Sequence, residues 1–273
     1  MRRLSLGLLM ISLLMGISVQ AQILTNPVQD YINKTTLLNN ILSNKRTIDL
    51  SQKSQTKGSS INQGNSKTPS QPDSRAIPEP TKFNHTGTFI LPKLWAEKSG
   101  LAGQGDAEQF FTSFVNLYQQ TAQKDGFPSN DLAYAFEYFV VNSYMTYHDL
   151  HDVEYDKDPR VKRGKDMFDR LTIINEKKLL KVTLAQERTI YNQFKTTLSE
   201  NPAIQKMTDR EKQELTELLA LIFGLDFRAY LKGVNNEDEK AIEQARQTAK
   251  MYLERLTGAS IERIKITNDG VQW

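Results

Sequence analysis

The chain has 273 residues, no cysteine, and a formal charge of +3 from 35 basic and 32 acidic side chains. Without cysteine, thiol catalysis, thiolate metal sites, disulfides and a lipid-anchoring cysteine are excluded, so stability has to come from packing. A balance this close to neutral gives no field that would hold nucleic acid or an anionic membrane, and no nucleic-acid partner is expected.

Residues 1–21 read as a secretory signal. Arg2 and Arg3 form a positive n-region, an apolar run extends from Leu4 to Val19, and Val19-Gln20-Ala21 puts small residues where a signal peptidase reads. The run is short for a membrane span, so no transmembrane anchor is expected after cleavage. Cleavage would leave 252 residues (273 less 21) beginning at Gln22 and, with Arg2 and Arg3 gone, a charge of +1. That length suits one large domain or one domain plus an arm. The protein is expected to be exported, either periplasmic or secreted.

Residues 22–50 have the pattern of an amphipathic arm. Asn26 can cap a helix, Pro27 suits its first position, and Val28, Tyr31, Ile32, Leu38, Ile41 and Leu42 recur at helical spacing. Such a face needs a partner, either the protein's own domain or another protein. From Ser51 to Pro80 the composition turns to Ser, Gln, Lys, Asn, Gly and Pro, which is too polar to repay its ordering entropy. Residues 51–80 are therefore expected to be a disordered linker, its ends on the order of 30 Å apart.

The folded domain is expected over residues 81–273. A short element around Phe89 to Lys98 carries Leu91, Leu94 and Trp95. Asp106 and Gln109 form a capping box for a helix whose stripe is Phe110, Phe111, Phe114, Val115, Tyr118 and Ala122, ended by Gly126 and Pro128. The next helix, about 129–148 and capped by Ser129 or Asn130, is apolar on most of its circumference. Leu132, Ala135, Phe136, Phe139, Val140, Ser143 and Tyr147 line one face, and Tyr134, Tyr138, Val141 and Met145 another. Such a helix is central to its fold.

After a polar stretch from Asp149 to Lys165, weak helical periodicity returns at Met167, Phe168, Leu171 and Ile174. The box Thr183 and Gln186 then opens a helix with Leu184, Ile190, Tyr191, Phe194 and Leu198, ending before Pro202. Thr208 and Glu211 open another, bearing Leu215, Leu218, Leu219, Ile222, Phe223, Tyr230 and Leu231, with Gly233 as its stop. The last helix carries Ala241, Ile242, Ala245, Ala249, Tyr252, Leu253 and Leu256 and closes at Gly258. Alternation from Ile261 to Ile266 before an Asn-Asp-Gly turn suggests a short C-terminal strand. The fold class is all-α, a multi-helix bundle around the helix at 129–148, without internal repeats.

The run Phe127-Pro-Ser-Asn-Asp-Leu-Ala133, the aromatic helix ending Tyr147-His148-Asp149, the start Met207-Thr-Asp-Arg-Glu-Lys-Gln-Glu-Leu215 and the ending from Ala249 to Gly258 resemble a family of uncharacterised bacterial signal-peptide proteins. The resemblance covers roughly Thr81 to Gly270. It implies the domain boundary and the helical fold, and carries no activity with it.

Chemistry is concentrated beyond the central helix, at His148, Asp149, His151, Asp152, Glu154, Asp156 and Asp158. Imidazoles three residues apart with carboxylates are what zinc and similar cations take, which makes His148, His151, Asp149 and Asp152 candidate ligands. A metal with an open position there would activate water for hydrolysis. The alternating acids also resemble the start of a calcium loop, but Lys157 stands where glycine is needed and Arg163 where the bidentate glutamate is needed. The competing reading is a solvated acidic loop at a helix C-terminus, with no cofactor. Glu137, Tyr144 and His148 form a second candidate set, in which a carboxyl buried among aromatics would act as general acid or base. Arg160, Lys162, Arg163 and Lys165 balance the acidic loop or bind an anion. No nucleophile elbow, phosphate loop or dinucleotide fingerprint occurs. The leading expectation is a non-enzymatic exported module that binds a protein in the envelope or outside the cell. The alternatives are a metal-assisted hydrolase using His148 and His151, and a secreted effector or inhibitor.

Overall fold

The computed structural model describes residues 79–99 and 104–273. The expected signal at 1–21, the arm at 22–50 and all of the linker except residues 79 and 80 lie outside the described residues. In chain order come α1 (Leu91–Ser99), α2 (Gln104–Asp125), α3 (Leu132–Tyr147), the short α4 (Pro159–Lys162), α5 (Met167–Leu180), α6 (Leu184–Ser199), the short α7 (Pro202–Lys206), α8 (Asp209–Asn235) and α9 (Glu239–Thr257). A hairpin of β1 (Lys265–Thr267) and β2 (Gly270–Gln272) follows. The class is all-α with short terminal strands.

Because α3 is apolar nearly all round, it can be stable only with neighbours on every side, and it packs against α6, α8 and α9. Edge-to-face rings tie it across the bundle, Tyr138 lying 5.1 Å from Tyr118 of α2 and 5.3 Å from Phe223 of α8. The cap differs from the sequence expectation. Asp131, not Ser129 or Asn130, is the N-cap, and its carboxylate accepts from the Ala133 amide and from the Tyr191 hydroxyl, each at 2.9 Å. Long-range pairing decides this: Lys82 and Asp131 form a bridge, with the Asn130 carbonyl accepting from the Phe83 amide. That holds residue 131 extended, as an N-cap must be.

Both the Thr183–Gln186 and Thr208–Glu211 boxes form as read from the sequence. Asp106 and Gln109 do not form one, because α2 already runs from Gln104 and Asp106 sits within its first turn. Gly233 likewise lies inside α8, which continues to Asn235. It is there for closeness to α9, since a Cβ on it would come within 2.9 Å of the Ile242 amide nitrogen. Gly258, at φ 69°, does close α9.

Two buried side chains of α8 tie down the start of the described chain. Glu217 accepts from the amides of Ile90 (2.8 Å) and Leu91 (2.7 Å), capping α1 from 126 residues away. Gln213 holds Glu217 at 2.7 Å and the Thr88 carbonyl at 2.8 Å. At the other terminus the hairpin pairs Ile266 with Val271, and residues 261–263 form a single 3-10 turn in place of the expected strand start. The Gln193 carboxamide of α6 exchanges two hydrogen bonds with the Val271 backbone, both 2.9 Å.

Candidate functional site

Where α3 stops, no glycine is available to turn the chain. The His148 amide still bonds the Tyr144 carbonyl, the Leu150 amide reaches back to the Met145 carbonyl at 2.8 Å, and Asp149 adopts φ 51° between them. This is the left-handed stop that usually takes glycine. Here the side chain justifies the residue, because the fully buried Asp149 carboxylate accepts from Arg163 at 2.7 Å and faces Arg246 at 3.7 Å. Arg246 in turn bonds the Tyr147 carbonyl at 2.9 Å and lies over the Tyr147 ring.

The two candidate histidines are brought to this turn but not to each other's chemistry. His148 lies against the rings of Tyr144 (4.3 Å) and Tyr147 (4.8 Å), and its Nε2 is buried without a hydrogen-bond partner among the described residues. Burial, with Arg160 and Arg246 adding repulsion, pushes its pKa down to about 4. His151 is buried against Phe227 and Phe223, and burial, reinforced by Lys177 and Lys181, pushes its pKa down to about 3. Its Nε2 lies 2.9 Å from the Thr146 hydroxyl, whose single proton goes to the Asn142 carbonyl at 3.0 Å. The hydroxyl therefore accepts, and neutral His151 carries its proton on Nε2.

Four of the five acidic residues have a cation partner, and Asp158 a backbone one as well. Asp152 pairs with Lys181 and Glu154 with Lys157 at 2.7 Å. Asp158 caps α4 through the amides of Arg160 and Val161 and also holds Lys177. Among the described residues, no group of three or more His, Asp or Glu side chains converges to hold a metal ion. The basic run is similarly engaged: Arg160 donates to the His148 carbonyl at 3.2 Å, Lys162 pairs with Glu237 at 2.8 Å, Arg163 holds Asp149, and the Lys165 amide bonds Asp169.

The second candidate set is divided. Tyr144 and His148 touch, whereas Glu137 is two turns nearer the N-terminus of α3, buried among Tyr134 and Tyr138 with Glu187 and Asp125 as its charged surroundings. Burial, with both carboxylates adding, holds its acid well above the usual carboxylate range.

The feature that sequence periodicity only hinted at is α5. Asp166 caps it by accepting from the Asp169 amide, yet none of its residues is buried. Met167 is 73% exposed, Phe168 83% and Leu179 85%, with Leu171 and Leu180 half exposed. Its domain-facing side is held by polar contacts: Lys177 donates to Asp158 and, at 2.7 Å, to the His151 carbonyl, while Arg170 bonds the Gly164 carbonyl at 3.3 Å. Lys181, just past its end, pairs with Asp152. Phe168, Leu171, Asn175 and Leu179 thus stand in one outward row at i, i+3, i+7 and i+11, while Ile173 and Ile174 are partly buried. Lys177 and Arg246 escaped the sequence reading because their partners lie up to 99 residues away.

A family model described as a family of unknown function (DUF6683) matches residues 1–167 and 181–273. The stretch it leaves out, 168–180, is α5 apart from Met167. No curated protein and no solved structure matches the chain.

Proposed function

The chain belongs to that family of unknown function across residues 1–167 and 181–273, and from this premise we propose that it is a non-enzymatic protein-interaction module. In this reading it is exported by its N-terminal signal and engages a protein in the envelope or outside the cell through α5. The observation that carries the reading is the outward apolar row Phe168, Leu171 and Leu179 on a domain that buries its other long apolar stripes. Large apolar side chains exposed together on one helix face mark an association site. Phe168 and Leu171, at i and i+3, have the spacing of the anchors that a groove-bearing partner reads, and Leu179 lies two turns beyond Leu171 on the same side. Among the described residues no helix is long and apolar enough to cross a membrane, so α5 is not a spanning segment.

The test is crosslinked capture from the host's envelope and culture fluid, comparing the protein with its Phe168→Asp/Leu179→Asp variant. Both positions are exposed, so the variant should melt at the same temperature as the parent. A specific protein captured by the parent and lost by the variant is the expected result. Capture that is indifferent to the substitutions, or no specific capture at all, would overturn the proposal.

A further inference from the structure

The outward row of α5 has a candidate occupant within the same chain. We infer that it is the docking surface of residues 22–50. This rests on the reading of α5 as a docking face and names its resident partner.

Two lengths and one shared pattern support it. From Phe168 to Leu179 the row is about 17 Å long, and the stripe from Val28 to Leu42, taken as a helix, is about 21 Å. Residues 22–50 carry an amphipathic helical pattern in their sequence, and the row on α5 is exposed. The described chain begins beside α6, where Glu79 pairs with Lys195 at 3.0 Å. Lys195 is 11 residues from Leu184 at the start of α6, about 16 Å along the helix axis, and α5 ends just before that start. Residues 51–78, as a Gly/Ser/Gln-rich coil, span on the order of 30 Å, enough to bring the stripe onto the row. Tethering at that length gives an effective concentration in the millimolar range, which favours the chain's own segment over a second copy in dilute solution.

The absence of native cysteine makes the test direct. In the full chain, Leu38→Cys or Ile41→Cys is combined with Leu171→Cys or Leu179→Cys and oxidised in dilute solution. At least one pair should give an intramolecular disulfide, read as a monomer of altered mobility, while each single variant stays uncrosslinked. A parallel measurement follows amide exchange in α5 of the Tyr31→Asp/Leu38→Asp variant, where exchange about tenfold faster than in the parent is expected. A disulfide-linked dimer from Leu171→Cys or Leu179→Cys alone would give the face to a second copy and overturn the inference. Failure of all four pairs, or α5 exchange unchanged by the arm substitutions, would overturn it as well. If partner capture still depends on Phe168 and Leu179 in that event, the docking reading survives without the arm. If the disulfide forms while capture ignores those residues, the arm contact stands and the docking reading fails.

Discussion

The Lys177 ammonium on the inner side of α5 is bonded to the Asp158 carboxylate, which is the same group that caps α4. Both side chains are shielded, at 12% and 6% exposure. This ion pair, together with the Lys177–His151 and Arg170–Gly164 hydrogen bonds, holds an otherwise unburied helix against the domain. Removing one partner strands a shielded charge, a change that costs about 3 kcal/mol in comparable settings. Lys177→Ala should weaken the attachment of α5 by that order, so that the α5 amides gain exchange rate by a larger factor than those of α3 and α8. Hydrogen exchange resolved by segment reads this, and uniform loosening of the whole chain would contradict it.

The Asp149 turn separates two contributions. Asp149→Gly keeps the left-handed backbone and loses the carboxylate, whereas Asp149→Ala loses the carboxylate and strains the backbone at φ 51°. The alanine variant should therefore be less stable than the glycine variant by about 1 kcal/mol, and both less stable than the parent because Arg163 loses its acceptor and Arg246 a nearby opposite charge. Chemical denaturation of the three proteins gives the order.

His151 makes the fold acid-sensitive. Its pKa is depressed to about 3 from 6.5, so below 6.5 the unfolded chain takes up a proton that the folded chain refuses, and stability falls as pH falls through that window. At pH 5 this amounts to about 2 kcal/mol. A histidine replacement that cannot ionise, His151→Asn, should flatten the decline in melting temperature between pH 7 and pH 4. Parallel pH profiles for the two proteins would refute the assignment.

Glu137 acts in the opposite direction. Its pKa is raised in the fold, so its contribution is fullest at low pH and is lost as pH rises above the ordinary carboxylate value of 4.5 towards the raised one. Glu137→Gln keeps the shape and removes the ionisation. The variant should lose less thermal stability than the parent between pH 5 and pH 9.

Gly233→Ala tests the close approach of α8 to α9. The added methyl meets the Ile242 amide nitrogen at 2.9 Å, backbone that cannot move aside alone. A loss of about 1–3 kcal/mol is expected, against the small gain that alanine brings in an open helix interior. A stabilised variant would show that the two helices can separate freely.

These cases also show what was legible in the residues themselves. The central position of α3 and the boxes at Thr183 and Thr208 could be read because their signals are local, three or four residues apart. Asp106 gave a false box because the same spacing recurs inside a helix that had already begun. Gly233 carried the signature of a stop, yet its reason for being glycine is a contact with another helix. The candidate cluster was legible as a place and not as an arrangement. His148, Asp149 and His151 do gather at one turn, but their partners Arg246 and Lys177 are supplied from distant sequence. The outward placement of Phe168, Leu171 and Leu179 on α5 could not be read at all, because periodicity gives an apolar side without saying which way it points.

The exchange of hydrogen bonds between Gln193 and Val271 has a consequence for how the protein behaves among its own copies. A two-stranded ribbon normally offers backbone groups on its open margin that another chain can extend into a longer ladder. At Val271 both of those groups are already taken by a side-chain amide, which acts as a one-residue counterfeit of a neighbouring strand. Gly270 lets it come so close, since any Cβ there would lie 2.4 Å from the Gln193 Oε1. Extension of the ladder from the β2 margin is thus blocked at Val271, where a further strand would find both backbone groups engaged.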